Sequence, residues 1–539
     1  MPPPRRDMQL RQLKRMANCK PKPKAKPKPT KPAERKCITD LPIELLAHII
    51  SLLPLEDICN VDCVSTFHGD DSAVEEALRL RASLCGRLTP ADLPVDEVSW
   101  TQKLFWDERR HDHATRLPSM AGGVLHTAFI DASGALLTCG SERGAAGLLG
   151  HGNDVRWLAM PTAVPGLEAV TIQGVTASYH HTLALSSEGL VYSFGLGDHG
   201  RLGHGDEERQ SVPRVIEALT AVKVCAIAAG CNHCLFADAH GFAYSCGSGS
   251  NGRLGHGSSS SSTRSMHPQH ARAGAQASGL IVAWTDRVEP GVDASCGLVV
   301  VEIQEHQMLD RATPRAIKAL RDERVCSVAA GHHSSFFLSA SGRVHSCGLG
   351  SHGQLGHGDE HDCHVPRRVE SLADVRVRAV ASGRAHTLFL DRAGRAYSCG
   401  MGAMGRLGHG DDANQLSPRR IEFAAGGGGD SAGRDVVRAV AAGEAHSLCL
   451  TTGGGVYSFG WGVCGQLGHG DYDEEHSPRI IQGLVDVRDV AAGHAHSLAV
   501  DADGHVFGWG NGTDYCLGLE LHGHLPTPLE YSHARLRVD

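Results

Sequence analysis

One passage is written seven times along these 539 residues, and a repeat constrains a fold more tightly than any local propensity. The clearest copies read Ala-Ala-Gly443-Glu-Ala-His446-Ser-Leu-Cys-Leu, then Val456-Tyr-Ser-Phe-Gly460-Trp-Gly462-Val-Cys-Gly465-Gln-Leu467-Gly-His469-Gly-Asp471, then Ser477-Pro478-Arg479-Ile480. The Leu-Gly signature falls at Leu149, Leu202, Leu254, Leu355, Leu407, Leu467 and Leu517, with spacings of 53, 52, 101, 52, 60 and 50. Each unit holds alternating segments such as Val191-Tyr-Ser-Phe and Ala396-Tyr-Ser-Cys, punctuated by Gly turns and a Pro-Arg start. That pattern predicts one four-stranded sheet per unit. Seven such units without a capping sequence predict a closed ring, because closure protects edge strands that a linear stack exposes. The fold class is therefore mainly β, a seven-bladed propeller over 120–531. The last copy keeps Pro526-Thr-Pro528-Leu and the first starts at Ala121-Gly-Gly-Val-Leu-His126, an offset that lets the C-terminal strand complete the first blade.

The two irregular spacings have separate causes. From Leu202 to Pro213 and from Leu355 to Pro366 the step is 11 residues, whereas from Leu254 to Pro314 it is 60. No second copy of the signature lies inside, so 258–312 is expected to be a loop insertion and not an eighth unit. The spacing of 60 comes from the Gly426 to Gly433 linker.

The units resemble the regulator of chromosome condensation repeat family, whose members form seven-bladed propellers. Unit one has two extra residues before Leu149, unit four has Ser334 where the others carry His, and unit seven has Leu517-Gly-Leu-Glu520 in place of Leu-Gly-His-Gly.

Composition bears on the rest. The 65 Gly and 26 aromatic residues disfavour a long-helix protein, and 41% apolar residues suffice for a large core. The net charge of -8 conceals an asymmetry: residues 1–36 carry 13 Lys and Arg against Asp7 and Glu34. Lys20 to Pro32 alternates cations with residues that lack an amide N–H, so 1–36 reads as a disordered basic tail. It is either a nuclear-import or nucleic-acid contact segment or a solvated spacer. With no apolar run of membrane-spanning length and no apolar segment after Met1, the expected location is the nucleus, the cytoplasm or both, with the 18 Cys reduced.

Residues 37–85 change character. Leu45, Ile49 and Leu52/Leu53 form one stripe at helical spacing, Pro54 ends that helix, and Leu55-Glu56-Asp57-Ile58 opens another. A helical linker is expected over 86–119 and a short tail over 532–539. Residues 40–65 resemble an F-box, a small all-α module that docks on the adaptor subunit of cullin-RING ubiquitin ligases. That resemblance implies that Leu41, Pro42, Leu45, Ile49, Leu53, Leu55, Ile58, Val61 and Val64 face the adaptor or the module's own core. After Phe67 the pattern fades, with His68-Gly-Asp-Asp71 in place of the family's downstream residues.

Several motifs invite chemistry. Five copies of Gly-x-Gly-x-x-Gly, such as Gly195-Gly197-Gly200, precede Leu-Gly-His-Gly and no helix, so they read as turn glycines and not a phosphate loop. Twelve His occupy two repeat slots: 126, 181, 233, 386, 446 and 496, and 151, 204, 256, 357, 409 and 469. A residue recurring once per blade serves a repeated internal hydrogen bond better than a metal. Cys231-Asn-His-Cys234 lacks a second pair at zinc distance and reads as strand packing. No nucleophile elbow, Walker loop or His-Glu-x-x-His motif appears, so no catalytic residue, metal or cofactor is expected.

Acids recur after equivalent turns: Asp206-Glu207-Glu208, Asp359-Glu360, Asp411-Asp412, and Asp471 with Asp473-Glu474-Glu475. Repeat geometry predicts a common face, a rim that either recruits a basic protein segment or keeps the ring soluble. The two resemblances together imply a non-catalytic adaptor that docks on a cullin-RING ligase and presents a protein substrate. The alternative they imply is a nucleotide-exchange factor or chromatin-associated regulator for a Ran-like GTPase, with the tail touching nucleic acid or chromatin. A photoreceptor like the family's plant UV-B members is disfavoured. Only Trp157, Trp284, Trp461 and Trp509 lie in this region, and those members' Gly-Trp-Arg-His-Thr pentads are absent.

Overall fold

The computed structural model describes residues 119–142, 147–257, 310–423, 436–519 and 523–535. The basic tail, the F-box-like segment with the nine residues expected to face an adaptor or the segment's own core, the expected helical linker up to residue 118, and residues 258–309 of the expected 258–312 insertion lie outside the described residues.

Seven four-stranded antiparallel sheets follow one another along the chain. Blade 1 is built from Met120–Gly122, His126–Ile130, Leu136–Ser141 and Trp157–Ala163, paired in that order. Blades 2 to 7 repeat the plan, ending with Val487–Ala492, His496–Asp501, His505–Asn511 and His524–Arg535. Blade 3 spans the insertion: its third strand pairs with Arg311–Ala316 on the far side (Gly247 opposite Arg311), so that segment interrupts a sheet and adds none.

The core sits between blades. Seven apolar clusters each join two successive sheets; Phe194 of blade 2, for example, packs with Ile130 and Leu136 of blade 1. Second strands are covered on both faces by neighbouring blades, which is why His181–Ser186 reads His-Thr-Leu-Ala-Leu-Ser and is buried throughout. Outer strands have one neighbour fewer and alternate toward solvent, as in Gln210–Val215. The seventh cluster closes the ring, bringing Leu498, Val500 and Val506 of blade 7 against Met120, Phe129 and Cys139 of blade 1.

Closure does not use the expected strand offset. The C-terminal strand pairs with its own blade, Phe507 opposite Glu530, and extends to Arg535, beyond residue 531. The first blade has no vacant edge, because Trp157–Ala163 already pairs with its third strand.

Side chains clasp neighbouring blades instead. The first histidine slot stands at the start of the second strand in six blades, buried, with Nε2 on a side chain of the next blade: a hydroxyl in five cases and, for His181, the Cys234 thiol. The distances are 2.7 Å for His126 to Thr182, 2.9 Å for His233 to Ser335, 3.0 Å for His386 to Ser447 and 2.9 Å for His446 to Ser497. His496 closes the circle on Thr127 at 3.0 Å. Each receiving hydroxyl spends its proton on a backbone carbonyl, Ser447 on Arg406 at 2.8 Å and Ser497 on Gln466 at 2.8 Å. The imidazole must therefore donate through Nε2–H, which fixes the neutral tautomer. Burial then holds these rings far below the usual histidine range, at about 4 for His126 and about 3 for His446 and His496.

The second slot works within a blade. His204, His256, His357, His409 and His469 each reach the hydroxyl of a third-strand Ser at 2.9 to 3.0 Å, pinning the glycine loop to its sheet. Those glycines are turn residues as expected. Gly195 has φ 118°, and a Cβ there would stand 2.5 Å from the His180 carbonyl oxygen.

Candidate partner-binding face

Antiparallel pairing decides which loops share a face. In blade 2, Ala177 at the end of the inner strand lies opposite Thr182, His181 opposite Gly195, and Gly195 opposite Gln210. The turn after each inner strand and the loop after each third strand therefore emerge on the same side, around the channel and outside it respectively.

The acidic residues stand in the outer of these two tiers, on a common face as the repeats predict, but the rim is not purely acidic. The leading acid of each group is engaged by its own blade. Asp206 lies 3.5 Å from Arg214, Asp359 2.8 Å from Arg367, and Asp471 3.2 Å from Arg479, which also takes Glu475 at 2.6 Å. Asp206, Asp359 and Asp411 also accept the amide two residues ahead, at 3.0 to 3.1 Å. The bond from Arg367 holds Asp359 below the usual carboxylate range. Asp412 accepts the Gly405 amide and approaches His476 at 3.8 Å. The second acids, Glu207, Glu208, Glu360, Asp473 and Glu474, are exposed and are the ones open to a partner.

Loop shape in this tier follows one residue. Where Arg precedes Leu-Gly, its Nε donates to the carbonyl of the residue three back: Arg201 to Asp198 at 2.8 Å, Arg253 to Ser250 at 2.9 Å and Arg406 to Ala403 at 2.8 Å. Where Gln stands there it accepts an amide instead, His352 N–H to Gln354 and Cys464 N–H to Gln466, each at 2.9 Å. The same peptide unit thus presents its carbonyl to a donor or its N–H to an acceptor. His199, Asn251 and Met404 accordingly take φ of 62°, 57° and 64°, and the Gln loops do not.

The inner tier was not singled out in the sequence. Each inner turn runs Ala-Gly-x-x-His with local exceptions, and the residue after Gly lines the mouth of a cavity of about 170 Å³ on the channel axis. Around the ring this residue is Val124, Tyr179, Cys231, His332, Arg384, Glu444 and His494. The Gly before it and the clasp position two residues after it hardly vary, with Ser178 and Ser334 as the exceptions; the axis-facing residue varies at nearly every blade, and the residue between it and the clasp varies as well. Tyr179 reaches across the mouth, its ring edge-on to His332 at 4.7 Å and to His494 at 5.5 Å. Glu444 bonds Arg384 at 2.5 Å and contacts His494. Burial, then the Glu444 charge, pushes the Tyr179 phenol up; burial, then Arg384 and Arg253, pushes His332 down to about 4.

Cys234 joins a second strand, with Sγ 2.9 Å from His181 Nε2, but Cys231 belongs to the mouth and not to strand packing. On the opposite face Asp501, Asp503 and His505 cluster, yet Asp501 is taken up by the amides of Asp503 and His505 and by His505 Nδ1, all at 2.9 Å. It is a turn motif shared with Asp238 and Asp391.

A model of the regulator of chromosome condensation (RCC1) repeat matches residues 133–185 and 188–237, and an RCC1-like domain model matches 275–538. The Arabidopsis thaliana Ultraviolet-B receptor UVR8 is 32% identical over 357 residues, covering 65% of this chain and 78% of the receptor. The chain belongs to the regulator of chromosome condensation repeat family. The human E3 ubiquitin-protein ligase HERC2 is 31% identical over 376 residues, 69% of this chain but only 6% of that ligase. Among solved structures, Saccharomyces cerevisiae Prp20p superposes with a TM-score of 0.53 at 23% identity, covering 70% of this chain and 81% of that one. Human WBSCR16 gives 0.56 at 22%, covering 71% and 91%. At those identities the likeness concerns the fold. Trp509, buried in blade 7, donates Nε1 to the Gln466 carbonyl at 2.9 Å, and Trp157 stacks on Tyr515 at 5.0 Å across the blade 7 to blade 1 seam.

Proposed function

We propose that this is a non-catalytic recognition protein. Its F-box-like segment docks on the adaptor of a cullin-RING ubiquitin ligase, and its propeller face holds a protein substrate nearby. The observation that carries the second half is the division of labour within each inner turn, where the Gly and the clasp His recur in all but one blade each and the axis-facing residue changes at nearly every blade. Repeat scaffolds spend variation where they meet ligands. The exposed Glu207, Glu360 and Glu474 suit a partner with basic character. The first half rests on the pattern Leu41-Pro42 through Val64, supported by a propeller relative that bears the name of a ubiquitin ligase. The protein contributes proximity and no bond-making, raising the local concentration of substrate beside a ligase-bound ubiquitin carrier. It acts in the nucleus, the cytoplasm or both.

The test is a pull-down of the full chain against Leu41→Ala/Pro42→Ala. Recovery of adaptor and cullin by the first and not the second is expected, and recovery by neither sinks the ligase reading. A second reading, exchange factor or chromatin-associated regulator for a Ran-like GTPase, draws on the likeness to Prp20p, whose structure was reported with its binding to Gsp1p and histones, and on the basic tail. Accelerated GDP release from a Ran-type GTPase by the purified chain would favour it.

A further inference from the structure

The channel mouth holds more donors than its own acceptors satisfy. Among the described residues Glu444 is the single carboxylate in the inner tier, and Arg384 and His494 already engage it. Arg384 nonetheless keeps 59% of its side chain exposed, leaving donor capacity toward the axis. Two further guanidinium groups belong to the outer loops of blades 2 and 3. Arg201 and Arg253 are each only 3% exposed, and each has an Nη1 atom buried without a hydrogen-bond partner. Their backbones adjoin the next blade's second strand: the Arg201 carbonyl accepts from Cys234 Sγ at 3.0 Å and the Arg253 carbonyl accepts from Ser335 Oγ at 2.5 Å. The Tyr179 hydroxyl lies in the mouth beside the Glu444 carboxylate.

Backbone bonding is lopsided in the same sense. From blade 4 round to blade 1 the turns are linked to one another: His332 N–H to the Gly383 carbonyl at 3.2 Å, Glu444 N–H to the His494 carbonyl at 3.2 Å, and His494 N–H to the Gly123 carbonyl at 3.0 Å. The corresponding amides of Tyr179 and Cys231 have no such partner among the described residues. Buried donors in the state of Arg201 Nη1 and Arg253 Nη1 cost about 1–3 kcal/mol each, so their retention calls for an acceptor-rich occupant.

We propose that the mouth is an oxyanion site, taking a carboxylate or phosphate group presented by a protein segment. A guanidinium fork such as that of Arg384 matches both groups bidentately. The site differs from the acidic rim in charge and position, and it does not depend on the F-box-like segment. A partner that meets this face would then carry an anionic group at its centre and basic residues toward the rim.

Two substitutions make the test directional. Arg384→Met removes the exposed guanidinium, whereas Glu444→Gln removes the one competing carboxylate and releases Arg384. Titration calorimetry of the full chain at pH 7 would use inorganic phosphate, acetate, and two peptides differing only in phosphoserine or glutamate at the central position. Arg384→Met should weaken binding at least tenfold and Glu444→Gln should tighten it severalfold, with melting midpoints checking that both variants fold. The two peptides reveal whether phosphate or carboxylate is preferred. Absence of saturable binding by every probe, or equal affinity in Arg384→Met, overturns the proposal. Tightening in Arg384→Met would instead indicate a cation site built on Glu444.

Discussion

Blade 4 offers a natural substitution whose repair can be tested. Ser334 stands where its neighbours carry the clasp histidine, and the inner strand of blade 5 ends in Ser382 where the others end in Ala or Gly. The two hydroxyls replace the imidazole as a relay: Ser334 Oγ to Ser382 Oγ at 3.4 Å, then Ser382 Oγ to Thr387 Oγ1 at 3.3 Å. They also occupy its space. A Cβ on Gly331 would lie 2.4 Å from Ser382 Oγ, and on Gly230 or Gly443 it would lie 2.1 Å from an imidazole Cε1. Ser334→His alone must therefore displace the Ser382 hydroxyl, and overpacking of that kind costs about 1–3 kcal/mol. Ser382→Ala alone breaks the relay, at about 1 kcal/mol. Together they rebuild the clasp found elsewhere, with an imidazole N–H on Thr387, a bond with a net contribution of about 0.5–1.5 kcal/mol. The double variant should match or exceed the parent, with a coupling energy of about 2 kcal/mol or more in a double-mutant cycle. Urea unfolding followed by tryptophan fluorescence would read it. Additive losses in the double variant would refute the view that hydroxyl pair and imidazole are interchangeable occupants of one site.

Acid should loosen the ring. His126, His446 and His496 are held neutral by burial, at about 4, 3 and 3, against about 6.5 in an unfolded chain. Below pH 6.5 the unfolded chain takes up protons that the fold cannot, so stability falls as pH drops toward 4 and is level above about 7. At pH 5 each such histidine accounts for about 2 kcal/mol of loss. Urea midpoints unchanged between pH 7.5 and 5 would contradict this. In blade 7, Gly508 and Leu519 stand where other blades have Ser (Thr138 in blade 1) and His, and a Cβ on Gly508 would meet Tyr531 Oη at 2.9 Å. Gly508→Ser should lower the melting midpoint, and Tyr531→Leu in the same chain should recover part of that loss.

Much of the fold could be read from the repeat, and its misses are instructive. The spacing of Leu-Gly signatures gives seven blades and assigns the long gap to an insertion, because a missing signature is as informative as a present one. Closure was misread because a repeat has no natural first residue: the Pro526 segment looks like a spare strand only until Pro161 is recognised as the outer strand of a complete first blade. The rim looked purely acidic because its cations lie eight residues downstream, as with Asp359 and Arg367, a spacing that is visible once the loop is known to fold back. The channel mouth is not legible from what recurs, because its residues change from blade to blade. Superposing the seven turns leaves two positions that do not recur, and the cavity lining selects the first of them, Val124, Tyr179, Cys231, His332, Arg384, Glu444 and His494. The partnership of Ser334 with Ser382 likewise appears only when adjacent units are compared.

The central claim is that neighbouring positions of one turn are divided between holding the ring and meeting a partner. A stability scan of both sets, by proteolysis or urea midpoint, addresses it most directly. Alanine at the clasp residues His126, His233, His386, His446 and His496 should cost about 2–4 kcal/mol each, through a buried void and an abandoned hydroxyl. Alanine at Tyr179, His332, Arg384, Glu444 and His494 should cost within about 1 kcal/mol. Equal losses in the two sets would show that the varied residues hold the ring as well, and would contradict the assignment of this face to recognition.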